Sequence, residues 1–322
     1  MNKINIIVIL LMLITIGGCK EDANIFNPPI TPEPPPTPPS GWSYQSSGTE
    51  RALWAVWFVD ENTGVAAGDY NTMLRTTNGG NNWTPITISG NFTSFSFTDN
   101  STGWTTGHYG IILKTTNAGL NWTAQQSGSS YTFYSIFFIN SNTGWVCGDV
   151  GRIFKTTNSG NNWFACDNSN MVSLYAIGFV DSLRGWAGGN FGTLLRTFDG
   201  GSNWPIQNQT LSGEYRAIFF SGQNGWITTA GNAVLRTTDR GNSWFWGAAA
   251  KSLESIYFIS PDIGWGVTLT AAILKTTDTG NSWTVNQGEL NLNLNSVYFI
   301  NPGTGWAVGD LGTIIKTTNG GE

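Results

Sequence analysis

The chain has 322 residues, of which only 11% are charged, and it contains 41 Gly and 16 Trp. Its net charge of -5 and its pI near 4.9 give none of the basic surface that nucleic acid requires, so nucleic-acid binding is excluded. Few charges together with many glycines and aromatic residues favour short strands and turns over helices, which predicts an all-β fold.

The amino-terminal segment is typical of a secretory signal. Lys3 precedes an apolar run over residues 6–16, which is too short to span a bilayer. The run is followed by Gly-Gly-Cys, and this sequence, ending at Cys19, resembles the bacterial lipobox. The resemblance implies cleavage before Cys19 and lipid on its sulfur. We therefore expect residues 1–18 to be a lipoprotein signal peptide, with a plain secretory signal as the alternative.

Residues 19–40 are predicted to be a linker between the lipidated cysteine and the folded part. Residues 28–39 hold eight of the twelve prolines, and polyproline rises ~3.1 Å per residue, so the linker would hold the fold roughly 35 Å from its anchor. The Lys-Glu-Asp that follows Cys19 resembles the tag of surface-exported lipoproteins in some Gram-negative bacteria. We expect a location in the bacterial cell envelope, at the outer membrane or the cell surface, with membrane attachment through Cys19.

One eight-residue stretch is repeated through the rest of the chain. It reads Thr, any residue, Asn or Asp, any residue, Gly, two more residues and Trp, as in residues 156–163. Asn and Asp side chains bond their own backbone two residues on and Gly supplies a positive φ, so the stretch predicts a tight hairpin turn, closed by Trp packing on its own sheet. The copies begin at Thr76, Thr115, Thr156, Thr197, Thr237, Thr276 and Thr317.

The repeat divides residues 41–322 into seven units of 39 to 41 residues. Each unit contains four short strand-like segments, which we call a to d in chain order. Four short strands at this period describe a blade of a β-propeller. In the third unit the predicted strands cover residues 133–139, 145–148, 152–156 and 163–166.

The two ends of residues 41–322 complement each other. The seventh unit stops at Glu322, before its Trp and its strand d, whereas residues 41–48 read Gly-Trp-Ser-Tyr-Gln-Ser-Ser-Gly and match the strand d segment at residues 121–128. We therefore predict that the amino-terminal strand completes blade seven, which closes the ring without an open edge. The predicted fold is an all-β, seven-bladed propeller with four strands per blade.

The landmarks of the last unit carry a family resemblance. They are Phe299, Gly305-Trp306, the Gly-Asp-Leu-Gly of residues 309–312 and the Thr-Thr-Asn-Gly-Gly of residues 317–321. This repeat resembles that of the Asp-box, or BNR-like, propellers and, among them, the photosystem II assembly-factor type. Sialidases, xyloglucan hydrolases and non-catalytic assembly factors share the turn, so the resemblance implies the fold and leaves the function open. Blade one departs from the pattern with Val65 in place of Trp, and blades five and six lack the Gly-Asp.

A candidate binding site follows from the seven a strands, which line the central channel of a propeller. Two columns of the aligned strands have a uniform size and are explained by packing. The column just before them varies in size and chemistry, and packing does not explain it. Its aromatic, charged and amide side chains around a channel mouth suit sugar stacking or capture of a peptide. The alternative to a binding site is that these positions are exposed to solvent and vary in sequence without a functional reason. The column, here called the mouth residues, comprises Trp54, Thr93, Tyr134, Tyr175, Arg216, Glu254 and Asn295.

The turns between strands b and c are expected to extend this site. They lie at the same end of the blades as the mouth residues. The repeated eight-residue turns, called Asp boxes from here on, lie on the opposite face. The polar and aromatic residues that the b–c turns contribute are Asp69, Tyr70, His108, Tyr109, Asp149, Asn190, Phe191 and Asp310.

A second column places one cation per blade directly before each Asp box. The expected role is structural, with the aliphatic stems between blades and the charged heads reaching water or carboxylates. A cationic ring that holds an acidic partner is the alternative. The column comprises Arg75, Lys114, Lys155, Arg196, Arg236, Lys275 and Lys316.

The residues give little support for catalysis. His108 is the only histidine, which argues against a catalytic triad or a histidine metal site, and Arg216 is the only mouth arginine, whereas a sialidase-like site would need three. The sequence favours a non-catalytic, monomeric protein without metal or cofactor that binds a protein at the envelope, with an assembly or scaffold role. A glycoside hydrolase or a sialidase-like, carbohydrate-binding propeller with a polysaccharide partner is the alternative. Glu254 would then need a second carboxylate, for which Glu214 or an Asp of a b–c turn is the candidate.

Overall fold

The computed structural model describes residues 37–322 except 167, 169, 208–212 and 289–291. The predicted signal peptide, Cys19 and most of the linker lie outside the described residues. Among those described, no helix has both the length and the apolar character needed to cross a membrane.

Twenty-seven strands are found in the described part of the chain, arranged in seven antiparallel sheets. In chain order they are β1 (Ser43–Gln45), β2 (Leu53–Phe58), β3 (Gly64–Gly68), β4 (Met73–Thr76), β5 (Thr84–Pro85), β6 (Phe92–Phe97), β7 (Gly103–Gly107), β8 (Ile112–Thr115), β9 (Thr123–Gln125), β10 (Phe133–Phe138), β11 (Gly144–Gly148), β12 (Ile153–Thr156), β13 (Phe164–Ala165), β14 (Leu174–Phe179), β15 (Gly185–Gly189), β16 (Leu194–Thr197), β17 (Tyr215–Ser221), β18 (Asn224–Thr229), β19 (Ala233–Thr237), β20 (Phe245–Ala248), β21 (Ser255–Phe258), β22 (Gly264–Val267), β23 (Ala272–Thr276), β24 (Thr284–Gln287), β25 (Leu294–Phe299), β26 (Gly305–Gly309) and β27 (Ile314–Thr317).

Each sheet is one blade of a seven-bladed propeller. Blades one to six comprise β2–β5, β6–β9, β10–β13, β14–β16, β17–β20 and β21–β24, and blade seven comprises β25–β27 with β1. The predicted strands of blade three agree with the structure to within a residue or so at each end. In blade four the outer segment makes one bridge between Leu195 and Ile206, flanked by backbone bonds from Arg196 to Pro205 and from Gln207 to Leu194.

The predicted closure of the ring is confirmed. Strand β1 pairs antiparallel with β27, with Ser43 opposite Lys316 and Gln45 opposite Ile314. Trp42, directly before β1, packs edge-on against Phe299 of blade seven, with the ring centroids 5.8 Å apart. The segment formed by Trp42 and β1 therefore supplies blade seven with both its closing Trp and its outer strand.

A phenylalanine at or next to the end of each a strand forms the centre of the core. In blade three, Phe138 lies edge-on against the blade's own closing residue, Trp163, and is stacked on Trp104 of blade two at 3.6 Å between centroids. Gly144 on strand b faces the same ring, and a Cβ there would lie 2.6 Å from it. Large aromatic burial across every blade boundary thus couples neighbouring blades.

The Asp boxes form the predicted turns. In blade three, Thr156 Oγ1 donates to Asn158 Oδ1 at 3.0 Å and accepts from the N–H of Gly160 at 3.0 Å, while Asn158 Oδ1 accepts from the N–H of Asn162 at 2.9 Å. Thr156 pairs with Gly144, and Gly144 pairs with Phe138 at the end of strand β10. The boxes therefore lie on the face opposite the start of the a strands.

In five blades the indole N–H of a Trp on strand b ties the blade to the next. Trp104 Nε1 donates to Ser159 O of the following Asp box at 3.1 Å, and the Trp residues of blades three, five, six and seven bond the equivalent carbonyl. Blade one has Val65 instead, and Arg75 Nε donates to that carbonyl, Ala118 O, at 3.0 Å. A cation of the column before the box thus replaces the missing indole.

The other members of this cationic column are also engaged within the scaffold. Lys316 Nζ donates to Gly79 O at 3.0 Å, and Arg236 Nη1 bonds Thr279 O at 3.4 Å. These contacts support the structural role expected from the sequence over a cationic ring. Five cations lie over the Trp ring of their own blade, at 5.0 to 5.7 Å from the centroid: Lys114, Lys155, Arg196, Lys275 and Lys316.

Candidate functional site

The mouth residues share one cavity of about 690 Å³ in the central channel. All seven line it: Trp54, Thr93, Tyr134, Tyr175, Arg216, Glu254 and Asn295. In every blade except blade six the mouth residue falls where the pairing of strands a and b shifts register. Such a bulge releases a residue from regular pairing and re-aims its side chain. This is why the column follows no packing rule in the sequence.

In blades one to four and seven, a glycine of strand b lies against the backbone at the bulge. In blade three, a Cβ on Gly148 would lie 1.9 Å from Thr132 O, so the backbone before strand a leaves no room for a side chain. The N–H of Asp149 bonds the same carbonyl at 2.9 Å. The Gly-Asp pair of blade three therefore shapes the mouth in two ways. The glycine lets the backbone before strand a come close, and the aspartate N–H bonds that backbone.

Two tyrosines of the mouth are in contact with each other. Tyr134 donates its hydroxyl to Asp149 Oδ1 at 2.9 Å and meets Tyr175 edge-on at 5.2 Å between centroids. Burial, and then the hydrogen bond and charge of Asp149, raise the pKa of the Tyr134 hydroxyl, so Tyr134 stays a neutral donor. Asp149 also accepts from Ser173 Oγ at 3.2 Å, which holds the carboxylate in place.

Arg216 continues this network into blades five and six. Its guanidinium carbon lies 5.5 Å from the centroid of Tyr175, as in a cation–π contact. The same guanidinium forms ion pairs with Glu214 and, at 3.4 Å, with Glu254. Burial raises the pKa of Glu254 in spite of Arg216, and Glu214 adds to the rise. Two carboxylates thus share a single cation.

Three mouth residues have other environments. Thr93 Oγ1 donates to Phe133 O at 2.7 Å and so joins blades two and three. Asn295 is 6% exposed, and its Nδ2 donates to Leu53 O at 3.0 Å and to Asp310 Oδ1 at 3.3 Å. Its Oδ1 is buried without a donor among the described residues. Trp54, 38% exposed, is the accessible aromatic of the mouth.

A circle of aromatic side chains lies deeper in the channel and was not predicted from the sequence. It occupies the position three residues after the mouth residue, on the same a strands, and it lines the same cavity. Trp57 meets Tyr298 at 4.7 Å, and Tyr257 meets Tyr298 at 4.7 Å. The column was visible in the alignment of the repeats, because five of its seven members are aromatic: Trp57, Phe137, Phe219, Tyr257 and Tyr298.

The b–c turns surround the mouth with exposed side chains. Those of blades one to four and seven have the positive φ at both central residues that defines a type I′ turn, as at Tyr70 (φ 53°) and Asn71 (φ 63°). In the four turns at His108–Gly110, Asp149–Gly151, Asn190–Gly192 and Asp310–Gly312, the middle residue and the glycine are both left-handed.

Five consecutive blades, seven and one to four, place a large apolar residue at the first left-handed position. We call these residues the turn tips: Leu311, Tyr70, Tyr109, Val150 and Phe191. Tyr109 is 79% and Phe191 is 85% exposed. Tyr70, Tyr109 and Phe191 were expected at the mouth from the sequence, whereas Val150 and Leu311 were not singled out.

No cluster of three or more His, Cys, Asp or Glu residues suited to a metal occurs in the described ranges. The structure thus brings together carboxylates, tyrosines and a shared guanidinium around an aromatic channel. Such a set can stack on planar groups, accept hydrogen bonds and hold a chain segment.

Solved structures with the same fold cover nearly all of the chain. "YCF48 bound to D1 peptide" aligns with a TM-score of 0.71 at 22% identity over 88% of this chain and 98% of the other. YCF48 from Cyanidioschyzon merolae gives 0.71 at 19% identity over 86% and 99%. The GH74 xyloglucanase from Xanthomonas campestris gives 0.69 at 12% identity over 88% of this chain and 54% of the enzyme. A sequence comparison with the curated proteins gives no match.

The family assignment comes from the sequence repeats themselves. The family model described as photosynthesis system II assembly factor YCF48 matches residues 36–172 and 166–246, which together are more than half of the chain. The matched part includes the mouth residues of blades one to five. The chain therefore belongs to the family of YCF48-type photosystem II assembly factors, which resemble the BNR-like propellers.

Proposed function

We propose that this protein is a non-catalytic propeller that binds a protein partner through its channel-mouth face. The observation that carries the proposal is the cavity of about 690 Å³ into which all seven mouth residues project. Its aromatic, cationic and acidic side chains form one connected network from Asp149 to Glu254. A similar propeller is described as bound to a D1 peptide, which supports a peptide segment as the ligand.

The proposed role is assistance with the assembly or stability of a protein complex in the bacterial cell envelope. The lipobox-like sequence before Cys19 supports attachment through a lipid on that cysteine. The test is metabolic labelling with an alkyne-tagged fatty acid. The wild-type protein is expected to carry the label and the Cys19→Ser variant to lack it, and equal labelling of both would overturn the anchor.

The arrangement of the carboxylates supports binding over glycoside hydrolysis. Glycosidases place two carboxylates on either side of the scissile bond. Glu214 and Glu254 instead both meet the guanidinium of Arg216, and Asp149 accepts hydrogen bonds from Tyr134 and Ser173. The likeness to a xyloglucanase keeps hydrolysis as the competing function, and incubation with a panel of polysaccharides, xyloglucan included, is expected to release no sugar.

The experiment on the binding face is photo-crosslinking in intact cells. A benzophenone amino acid replaces Trp54 at the mouth or, as the control, Leu120 in an Asp-box turn, which is 55% exposed on the opposite face. Both positions accept a large aromatic group. A protein adduct, identified by mass spectrometry, is expected from the mouth position alone.

A second variant connects the adduct to the mouth residues. Tyr175→Ala in the protein that carries the crosslinker at residue 54 is expected to abolish the adduct. Tyr44→Ala, which removes a comparably sized ring from the outer strand of blade seven, is the matched control. Protein adducts from residue 120 with none from residue 54, or glycan adducts in their place, would overturn the proposed function.

A further inference from the structure

The turn tips hold apolar side chains on backbone that disfavours them. Type I′ turns favour Asn or Gly, because an L residue with a Cβ is strained at positive φ. Here the first left-handed position carries Tyr109 at φ 57°, Phe191 at 54° and the β-branched Val150 at 47°. Strain of this kind persists at binding surfaces more than elsewhere.

Four of the five turn tips are exposed where packing would not require them, and Val150 is half-buried. Leu311 is 62% and Tyr70 is 68% exposed, in line with Tyr109 and Phe191. These residues belong to consecutive blades, so together they form an arc of apolar side chains around the mouth. An exposed apolar surface with a polar surround is characteristic of a protein interaction site.

The charge next to this arc is negative. Asp69, Asp149 and Asp310 each directly precede a turn tip, and none of the three is in an ion pair with another described residue. Asp149 and Asp310 are held by uncharged donors, from Tyr134 and Ser173 and from Asn293 and Asn295. Their negative charge is therefore available to a ligand.

Side chains inside the mouth add further negative charge and further hydrogen-bond acceptors. Glu214 and Glu254 share the single cation Arg216, which leaves one negative charge uncompensated in that group. Arg51 and Arg152, the nearby rim cations, are stacked on Tyr70 and Tyr131. Asn295 Oδ1 is buried without a donor, and its amide orientation is fixed because Nδ2 donates to two oxygens.

We propose that the channel-mouth face binds a basic polypeptide segment in which Lys or Arg residues are interspersed with apolar ones. The apolar side chains pack against the turn tips, and the cationic groups meet the carboxylates of Asp69, Asp149, Asp310 and Glu254. This inference rests on the proposed function and specifies its partner. The acidic rim disfavours the other apolar-seeking occupant, an anionic membrane surface, by like-charge repulsion.

The experiment uses the full chain and three fluorescein-labelled peptides in fluorescence anisotropy titrations. The first peptide consists of five Lys-Leu-Ser repeats, the second has Glu in place of Lys, and the third has Ser in place of Leu. The first is expected to bind at least about tenfold more tightly than either of the others, and its affinity is expected to fall as salt is added, because ionic contacts are screened.

The variants separate the two halves of the surface. The triple variant Tyr109→Asn, Phe191→Asn and Leu311→Asn removes apolar area and places at each φ the residue type that suits it, so its melting temperature is expected to stay or rise. Asp69→Asn removes one charge. The triple variant and Asp69→Asn are each expected to weaken binding of the basic peptide. Leu120→Asn is the control, because blades one and three already have Asn at that position of the Asp box.

Three results would overturn the inference. They are equal or tighter binding of the acidic peptide, unchanged affinity in the turn-tip variant, and tip-dependent binding of phosphatidylglycerol vesicles in place of the peptides. Protein adducts from the crosslinker at residue 54 without affinity for the basic peptide would refute this partner class alone and leave the proposed function standing.

Discussion

Trp42 packs edge-on against Phe299 at 5.8 Å, although the two residues lie at opposite ends of the folded chain. The same phenylalanine stacks on Trp265 of blade six at 3.5 Å. Every other blade obtains its closing Trp from its own Asp-box repeat. The final link of the ring is therefore the only one that joins the amino-terminal and carboxyl-terminal segments of the described chain.

Trp42→Ala is expected to lower the free energy of unfolding by about 3–5 kcal/mol, the usual loss for truncation of a buried Trp. Trp42 is only 6% exposed, so its removal leaves a cavity at the ring closure. Urea denaturation followed by circular dichroism measures the change. Ser43→Ala, on the exposed start of β1, is the control with a small expected effect, and similar unfolding curves for the two variants would contradict the closure mechanism.

Arg75→Ala is expected to destabilise the protein by about 1–3 kcal/mol, because it leaves a partly buried carbonyl without its donor. Arg75 Nε bonds Ala118 O where blade one lacks the indole of the other blades. Lys114→Ala is the matched control, since Trp104 supplies the corresponding bond of blade two. Equal losses of stability in denaturant titrations would show that Arg75 does not replace the indole.

Three of the boxes contain Asp, whereas the others contain Asn, which gives an internal comparison of charge. Hydrogen bonds from the Asn203 side chain and backbone lower the pKa of Asp199 to about 2, and those from Ser282 lower the pKa of Asp278 to about 2. A bond from the Ser243 backbone lowers the pKa of Asp239. Carboxyls with a lowered folded-state pKa contribute stability above an unfolded value of about 4, and this contribution is lost as the pH falls towards 2.

Replacing Asp199, Asp239 and Asp278 by Asn is therefore expected to flatten the fall of the melting temperature between about pH 4 and pH 2. The other carboxyls of the chain titrate equally in both proteins, so the difference reports on the three boxes. Asn158→Asp is the reciprocal variant and is expected to steepen the same fall. Parallel curves for all three proteins would show that the charge of the box carries no linked stability.

The regular part of this molecule could be read from the sequence because it repeats. Trp145, Phe138 and the Asp box recur at one period, so the blade count and the closure by residues 43–45 followed from spacing. The mouth column was identified for the opposite reason, since its residues vary where a bulge removes them from packing.

Other features depend on contacts that spacing does not encode. Nothing in the sequence showed that Glu214 and Glu254 would meet on Arg216, because the two carboxylates come from different blades. The left-handed backbone at Val150 and Leu311 was also missed, since these residue types rarely adopt it and only the following Gly indicates the turn. The aromatic column that contains Trp57 and Tyr298 was not singled out, because its place in the channel depends on the cavity that the folded blades enclose.

Arg216→Met tests the shared cation at the mouth. Removing the guanidinium leaves Glu214 and Glu254 facing each other, and since their side chains are 35% and 21% exposed, screening limits the expected loss to about 1–3 kcal/mol at pH 7. The pKa of Glu254, already raised by burial, is expected to rise further. A carboxyl with a raised folded-state pKa is stabilising when protonated, so the variant should regain stability as the pH falls from 7 towards 5. Thermal melts across this range measure the effect, and adding Glu254→Gln is expected to restore stability at pH 7 and remove the pH dependence. If the single and double variants melted alike at every pH, Glu254 would not be coupled to Arg216.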